Sequence, residues 1–230
     1  MPNPGDRLVS RLVARARGVP TGRDWDRCAL LEPLPAPLVP EFVSDGAGLP
    51  FSPLVLEGAP EPLDSTDPAV SALAGQLDGR LAGWRLLART DKEALFGRGL
   101  PPELLTVVVS QEAKRGTWSC VAKSTGRPLR ATRDGIRASS WHLDEAVEPV
   151  PEDTVLRICV TEQTFAGGRR ADGRVLAPDL YASEQELVLT MYVKPQSGFQ
   201  MRTPNPETPV RVALAHPIGD RALIDGAVYE

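Results

Sequence analysis

Glu152-Asp-Thr-Val-Leu-Arg-Ile-Cys-Val-Thr-Glu-Gln163 is a strand-length apolar run held between polar breaks. The same pattern recurs to the end of the chain, in Glu186-Leu-Val-Leu-Thr-Met-Tyr-Val193, Thr208-Pro-Val-Arg-Val-Ala-Leu214 and Ile218-Gly-Asp-Arg-Ala-Leu-Ile-Asp-Gly226. Runs of five to eight residues bounded by Gly, Pro and Asp read as strands rather than helices. Working outward from them, period two sets in at Trp84. Trp84–Thr90 and Glu93–Gly97 form one expected hairpin, and Leu104–Gln111 and Thr117–Lys123 a second. Leu129–Arg133 and Ile136–Trp141 flank Asp134-Gly135, a dipeptide that accepts the two positive φ angles of a type I′ turn. Further strands are expected at 154–162, 180–182, 187–193, 210–215 and 223–224. Many short, evenly spaced strands predict a mainly β protein, antiparallel, built as a sandwich or a partly open barrel.

The first third reads differently. Asp6-Arg-Leu-Val-Ser-Arg-Leu-Val-Ala-Arg-Ala-Arg17 sets Leu8, Val9, Leu12 and Val13 on one helical stripe, with Asp6 to cap and Gly18 to stop it. Residues 33–68 hold nine prolines interleaved with Leu34, Leu38, Phe42 and other apolar residues. Proline fixes φ and donates no amide proton, so an extended strap over an apolar surface is expected, its own or a partner's. Asp67-Pro68 then opens a helix to about Leu81, with Asp67 as N-cap and Val70, Leu73 and Leu77 on one side. The expected division is an arm over 1–66 (helix 6–17 and strap 33–66) and a helix plus β domain over 67–230.

Composition narrows the function classes. The net charge is −4, which argues against whole-surface nucleic-acid binding. It is uneven: residues 1–27 carry six Arg against three acids. No run of 18 apolar residues predicts a transmembrane helix, and no apolar leader follows Met1. Cys28, Cys120 and Cys159 are odd in number and far apart, which points to reduced thiols and a cytoplasmic location. Cys120 and Cys159 sit in strand-like runs and read as small buried apolar residues.

Chemical motifs are sparse. The two histidines, His142 and His216, make no HxH or HExxH pair, so neither metal nor cofactor is expected. There is no GxSxG, no P-loop and no GxGxxG after a strand. Gly167-Gly168-Arg169-Arg170 reads as a connector, and Asp24-Trp25-Asp26 as an exposed turn. The strongest feature is basic: residues 114–137 hold seven Lys and Arg against Asp134. Alternation puts Arg130, Arg137 and Trp141 on one face of the Asp-Gly hairpin and Arg133 on the other. Guanidinium beside indole suits an anion or a stacked base, whereas pairing with acidic loops at 144–153 and 184–186 would consume the same arginines.

Pro128-Leu-Arg-Ala-Thr-Arg-Asp-Gly-Ile-Arg-Ala-Ser-Ser-Trp141, Val160-Thr-Glu-Gln163, Arg174-Val-Leu-Ala-Pro178, Asn205-Pro206 and Gly219-Asp-Arg-Ala-Leu-Ile-Asp-Gly226 carry a resemblance. From about Trp84 to its end, the chain resembles an actinobacterial family of β domains, often exported. The resemblance implies a β fold and brings no catalytic residues. Exported relatives resemble a Cys-Ala-Ser-Gly where this chain has Phe165-Ala-Gly-Gly168, and a Thr-Cys where it has Met201-Arg202. The resemblance implies that those cysteines pair, which would set Phe165 near Arg202 here. A short Arg-bearing helix followed by Leu31-Glu-Pro33 is similar to the start of accessory proteins of phage-tail-like contractile injection systems.

These readings converge on a non-catalytic interaction or assembly module, with Leu8, Val9, Leu12, Val13, Leu34, Leu38 and Phe42 docking onto a protein partner or a second copy. The alternatives are an accessory or cargo protein of a contractile injection system, anion or nucleic-acid binding through Arg130, Arg133, Arg137 and Trp141, and an enzyme of unassigned class.

Overall fold

The structure is a computed structural model that describes residues 23–37, 40–44, 48–126, 128–198 and 203–229. It is mainly β, as expected. The strands are β1 Leu30–Leu31, β2 Leu34–Pro35, β3 Glu41–Ser44, β4 Trp84–Arg89, β5 Glu93–Arg98, β6 Leu105–Gln111, β7 Trp118–Thr125, β8 Leu129–Arg133, β9 Ile136–Leu143, β10 Val155–Thr161, β11 Asp179–Ala182, β12 Glu186–Tyr192, β13 Thr208–Ala213, β14 Ala222–Asp225 and β15 Val228–Tyr229. One α-helix, α1, spans Pro68–Gln76. The expected helix 6–17, with Leu8, Val9, Leu12 and Val13, lies outside the described residues, as does Leu38.

Two compact units divide the chain: residues 1–38 with 133–228, and residues 39–132 with 229–230. The boundary expected at 66/67 falls inside the second unit. One division falls between Thr132 and Arg133, at the end of β8, and the β8–β9 turn that follows has Asp134 and Gly135 at φ of 54° and 74°. These are the positive angles for which Asp-Gly was read.

In the first unit a curled, open sheet runs β1-β13-β10-β9-β12-β11-β2, and β14 adds to β12. Antiparallel pairing dominates, but β1–β13, β2–β11 and β12–β14 are parallel. The antiparallel expectation holds for the main ladders, and these three short parallel pairs join them. A parallel neighbour must arrive from a distant part of the chain, so hairpin signals do not announce it. Alternation along β10 sends Leu156, Ile158 and Val160 to the core face. They pack with Trp141, Leu187, Leu189, Met191, Val210 and Val212, all at most 8% exposed. The opposite face of β9, β10 and β13 carries polar side chains and holds the site described below.

In the second unit β4-β5-β6-β7 form an antiparallel sheet. Helix α1 starts at Asp67, whose carboxylate accepts the Ala69 amide at 2.8 Å, with Pro68 at the first position. Its Ala69, Val70 and Leu73 meet Trp84, Phe96, Val107 and Val109 of the sheet. The Pro-rich strap belongs to this unit's core from residue 40 onward. Phe42, Val43, Phe51 and Leu56 are buried, and β3 pairs with β8. Ser44 Oγ lies 3.2 Å from Thr106 Oγ1 of β6, and the Arg85 guanidinium of β4 donates to the carbonyl of Val55 at 2.9 Å. The strap thus lies over an apolar surface of its own chain. Phe42 is 1% exposed and meets Tyr229 edge-on, so it is not presented to a partner.

Two measurements check this account. Phe42→Ala should lower stability by about 3–5 kcal/mol in chemical denaturation, the scale for a truncated buried aromatic; a neutral result would return Phe42 to the surface. Asp67→Ala should cost about 1 kcal/mol at neutral pH through loss of the cap. The hydrogen bond from Arg89 holds the Asp67 carboxyl below its ordinary range, with burial opposing and the Ala69 amide helping. Its contribution is therefore present above the unfolded value of about 3.9 and lost as pH falls through the lower folded value. The stability gap between wild type and variant should narrow below about pH 4.

Candidate functional site

The polar face of β9, β10 and β13 follows directly from register. Cys159 pairs with His142 on one side and with Pro209 on the other. Residues directly opposite in an antiparallel sheet point to one face, and Glu207, two residues before Pro209, continues that line. The His142 Nε2 lies 3.4 Å from Glu207 Oε1. One ligand atom each from His142, Cys159 and Glu207 lie within 4.8 Å of one another. Their depth is graded: Cys159 is fully buried, His142 has 18% of its side chain exposed and Glu207 37%.

The segment ahead of β1 covers this face. Arg211 of β13 donates its amide to Ala29 O at 2.8 Å and its guanidinium to Asp26 O and Cys28 O, both at 3.2 Å. These bonds fix 26–29 along the sheet, and Arg23 reaches back over it. Its guanidinium donates to the Cys159 sulfur and, at 3.3 Å, to Glu207 Oε2. Arg23 also forms a wall of an open depression of about 290 Å³, together with Arg27, Cys28, Arg170, Asp172 and Thr208.

Electrostatics fixes the protonation of the thiol. Burial pushes Cys159 up to about 11, with Arg23 pulling the other way and Glu207 and Asp144 adding to the rise. A cysteine nucleophile needs the thiolate. A covered thiol held neutral beside a histidine is therefore not poised for attack. Burial disfavours the Arg23 charge, but Cys159, Glu207 and Asp144 more than offset it and raise its pKa. Asp144 accepts the Ala146 amide through Oδ1, while its Oδ2 is enclosed with no hydrogen-bond partner among the described residues.

The other buried carboxylates of this unit are consumed by arginine. Glu162, with 2% of its side chain exposed, takes both terminal nitrogens of Arg174 at 2.6 and 2.8 Å. Asp179 accepts from Arg133 and raises the Tyr192 hydroxyl, though burial is the larger cause.

The residues singled out for anion binding do not form a presented basic face. Arg133 is held by Asp179 and by Ala177 O at 2.8 Å, and it lies 4.4 Å over the Tyr192 ring. Trp141 is 8% exposed, in the core, and its indole N–H donates to Leu189 O at 3.1 Å. That corrects the expected stacking role: Trp141 and Leu143 share the face of β9 that packs into the core. Arg137 is exposed, and Arg130 is half-buried with Nη1 enclosed and without a partner among the described residues. Arg202 lies outside the described residues, so the expected proximity to Phe165 has no distance. The loop at 162–166 does meet the following stretch, since Ala166 donates to Asn205 Oδ1 at 3.0 Å.

Sequence reading missed Arg23, Cys159 and Glu207 as neighbours. The available signal was parity: with Leu156, Ile158 and Val160 on one face, Cys159 belongs to the other, beside Arg157 and Thr161. No protein-family model, curated protein or solved structure matches the chain.

Under native conditions at pH 8, alkylation of Cys159 should run at least about tenfold slower than that of Cys28, because only the thiolate reacts and burial suppresses it. Equal rates, read by mass spectrometry of the labelled peptides, would overturn the covered-thiol account.

Proposed function

We propose that this chain is a non-catalytic interaction or assembly module, and that its N-terminal arm docks onto a protein partner or a second copy. The observation that carries this reading is the strap of the first unit. The backbone of Leu30–Pro35 is committed to sheet edges, yet Leu30 and Leu34 stay 51% and 48% exposed. Leu34 pairs with Asp179, and Tyr181, two residues along β11 on the same face, is 40% exposed. A half-exposed leucine and a half-exposed tyrosine on adjacent paired strands suit the apolar centre of an interface. The basic segment 1–27, with its expected amphipathic stripe at Leu8, Val9, Leu12 and Val13, precedes this stretch in the sequence.

The burial of Phe42 confines the docking part of the arm to residues before about 38. The consumption of Glu162, Asp179 and Cys159 by arginine contacts favours binding over catalysis. Three free thiols favour a reducing compartment, the cytoplasm. No helix among the described residues is long and apolar enough to cross a membrane.

Deletion of residues 1–22 and, separately, Leu34→Asp decide the matter. Both should leave the thermal melt within a few degrees of wild type. Both should abolish self-association in sedimentation, or capture of a partner identified with the intact chain. An intact protein that stays monomeric and captures nothing more than the deletion would sink the proposal.

A further inference from the structure

We propose that His142, Cys159 and Glu207 form a binding site for a divalent transition metal of the zinc class, and that Arg23 is the cation that competes for it. The site is independent of the docking role of the arm.

Donor chemistry selects the class. One imidazole nitrogen, one sulfur and one carboxylate oxygen form the mixed set that zinc accepts, whereas calcium and magnesium take oxygen ligands only. Geometry supports it. Zinc bonds of about 2.0–2.3 Å place tetrahedral ligands roughly 3.3–3.8 Å apart. Ligand atoms already within 4.8 Å of one another need to close by no more than about 1.5 Å to reach that spacing. Two strands held in register supply His142 and Cys159, and Glu207 immediately precedes β13, the third strand of the same ladder, so the set is prepositioned.

Arg23 behaves as a stand-in. A guanidinium is a strong donor, and a neutral thiol is a weak acceptor. A structural latch for Arg23 would be better served by a second carboxylate or a carbonyl than by a buried sulfur. Glu207 brings a carboxylate to the cluster, and Asp144, two residues from His142, keeps Oδ2 enclosed without a hydrogen-bond partner among the described residues. A divalent ion satisfies Glu207 and a deprotonated Cys159 together. The open depression, of which Arg23 forms a wall, gives the displaced guanidinium room to turn. On binding, the thiol loses its proton to solvent and sulfur takes the metal. The Arg23 guanidinium leaves with its proton retained and turns into the depression. Water completes the coordination on the exposed side, next to Glu207.

Cobalt(II) titration of the full-length protein tests this, because a cobalt–thiolate bond gives a charge-transfer band in the near ultraviolet. One equivalent of metal should produce the band. Cys159→Ser should remove it, and His142→Ala or Glu207→Gln should weaken binding by about tenfold or more. Arg23→Ala should tighten it by removing the competitor, a change that a merely structural Arg23 would not cause. Cys28→Ser and Cys120→Ser should leave it unchanged. Should Cys159→Ser fail to fold, the His142 and Glu207 variants decide, and unchanged affinity in both overturns the site. No band in wild type or Arg23→Ala overturns it, as does a band that survives Cys159→Ser in the folded protein.

Discussion

Both ends of the curled sheet are closed by one short stretch of chain. Leu30–Leu31 pair with β13 at one end of the order, and Leu34–Pro35 pair with β11 at the other. Six residues span at most about 20 Å, so the two edges must curl to within that reach of each other. Open edges are a liability, since unpaired N–H and C=O groups invite foreign strands. Here Leu34 donates to Pro178 O at 2.8 Å and Ala36 to Leu180 O at 3.1 Å, while Ala29 O accepts from Arg211. Proline suits this duty. Pro33 and Pro35 lack the donor, and an edge strand needs it on one side only.

The same closure makes the candidate site. The residues just before 30–31 return over the outer face of this sheet, as the contacts of Asp26 and Cys28 with Arg211 and of Arg23 with Cys159 show. Arg211 secures their carbonyls, and Arg23 then falls on Cys159 and Glu207. A strand alternation that separates Leu156, Ile158 and Val160 from Arg157, Cys159 and Thr161 gives that face its chemistry. Cys159 is thus buried for a different reason from its apolar neighbours. They are covered by the core, and it is covered by an arginine from a segment more than a hundred residues earlier in the chain.

Strands and turns were legible because their signals are local. Asp134-Gly135, the hairpins after Trp84 and the cap at Asp67-Pro68 each depend on a few adjacent residues and their φ preferences. The site was not legible. His142, Cys159, Glu207 and Arg23 share no spacing rule, and they meet only through the pairing of β9, β10 and β13 and the return of the strap. The role of Trp141 was misread for a related reason. Period two assigns residues to two faces but does not say which face is covered, and at Trp141 the core claims the face that carried the indole.

The sequence by itself determined the fold class, the main antiparallel strand pairs, the helix that opens at Pro68 with its cap, and the mainly extended form of the Pro-rich stretch. Each of these follows from local conformational preference and hydrophobic period. Tertiary structure alone decided that the strap is partly core and partly edge closure, that Phe42 is buried while Leu34 is presented, and that parallel strands join an antiparallel scaffold. It also decided that an imidazole, a thiol, a carboxylate and a guanidinium converge. Those outcomes depend on contacts between residues far apart in the chain, where long loops are closed by burial and backbone pairing rather than by any local rule.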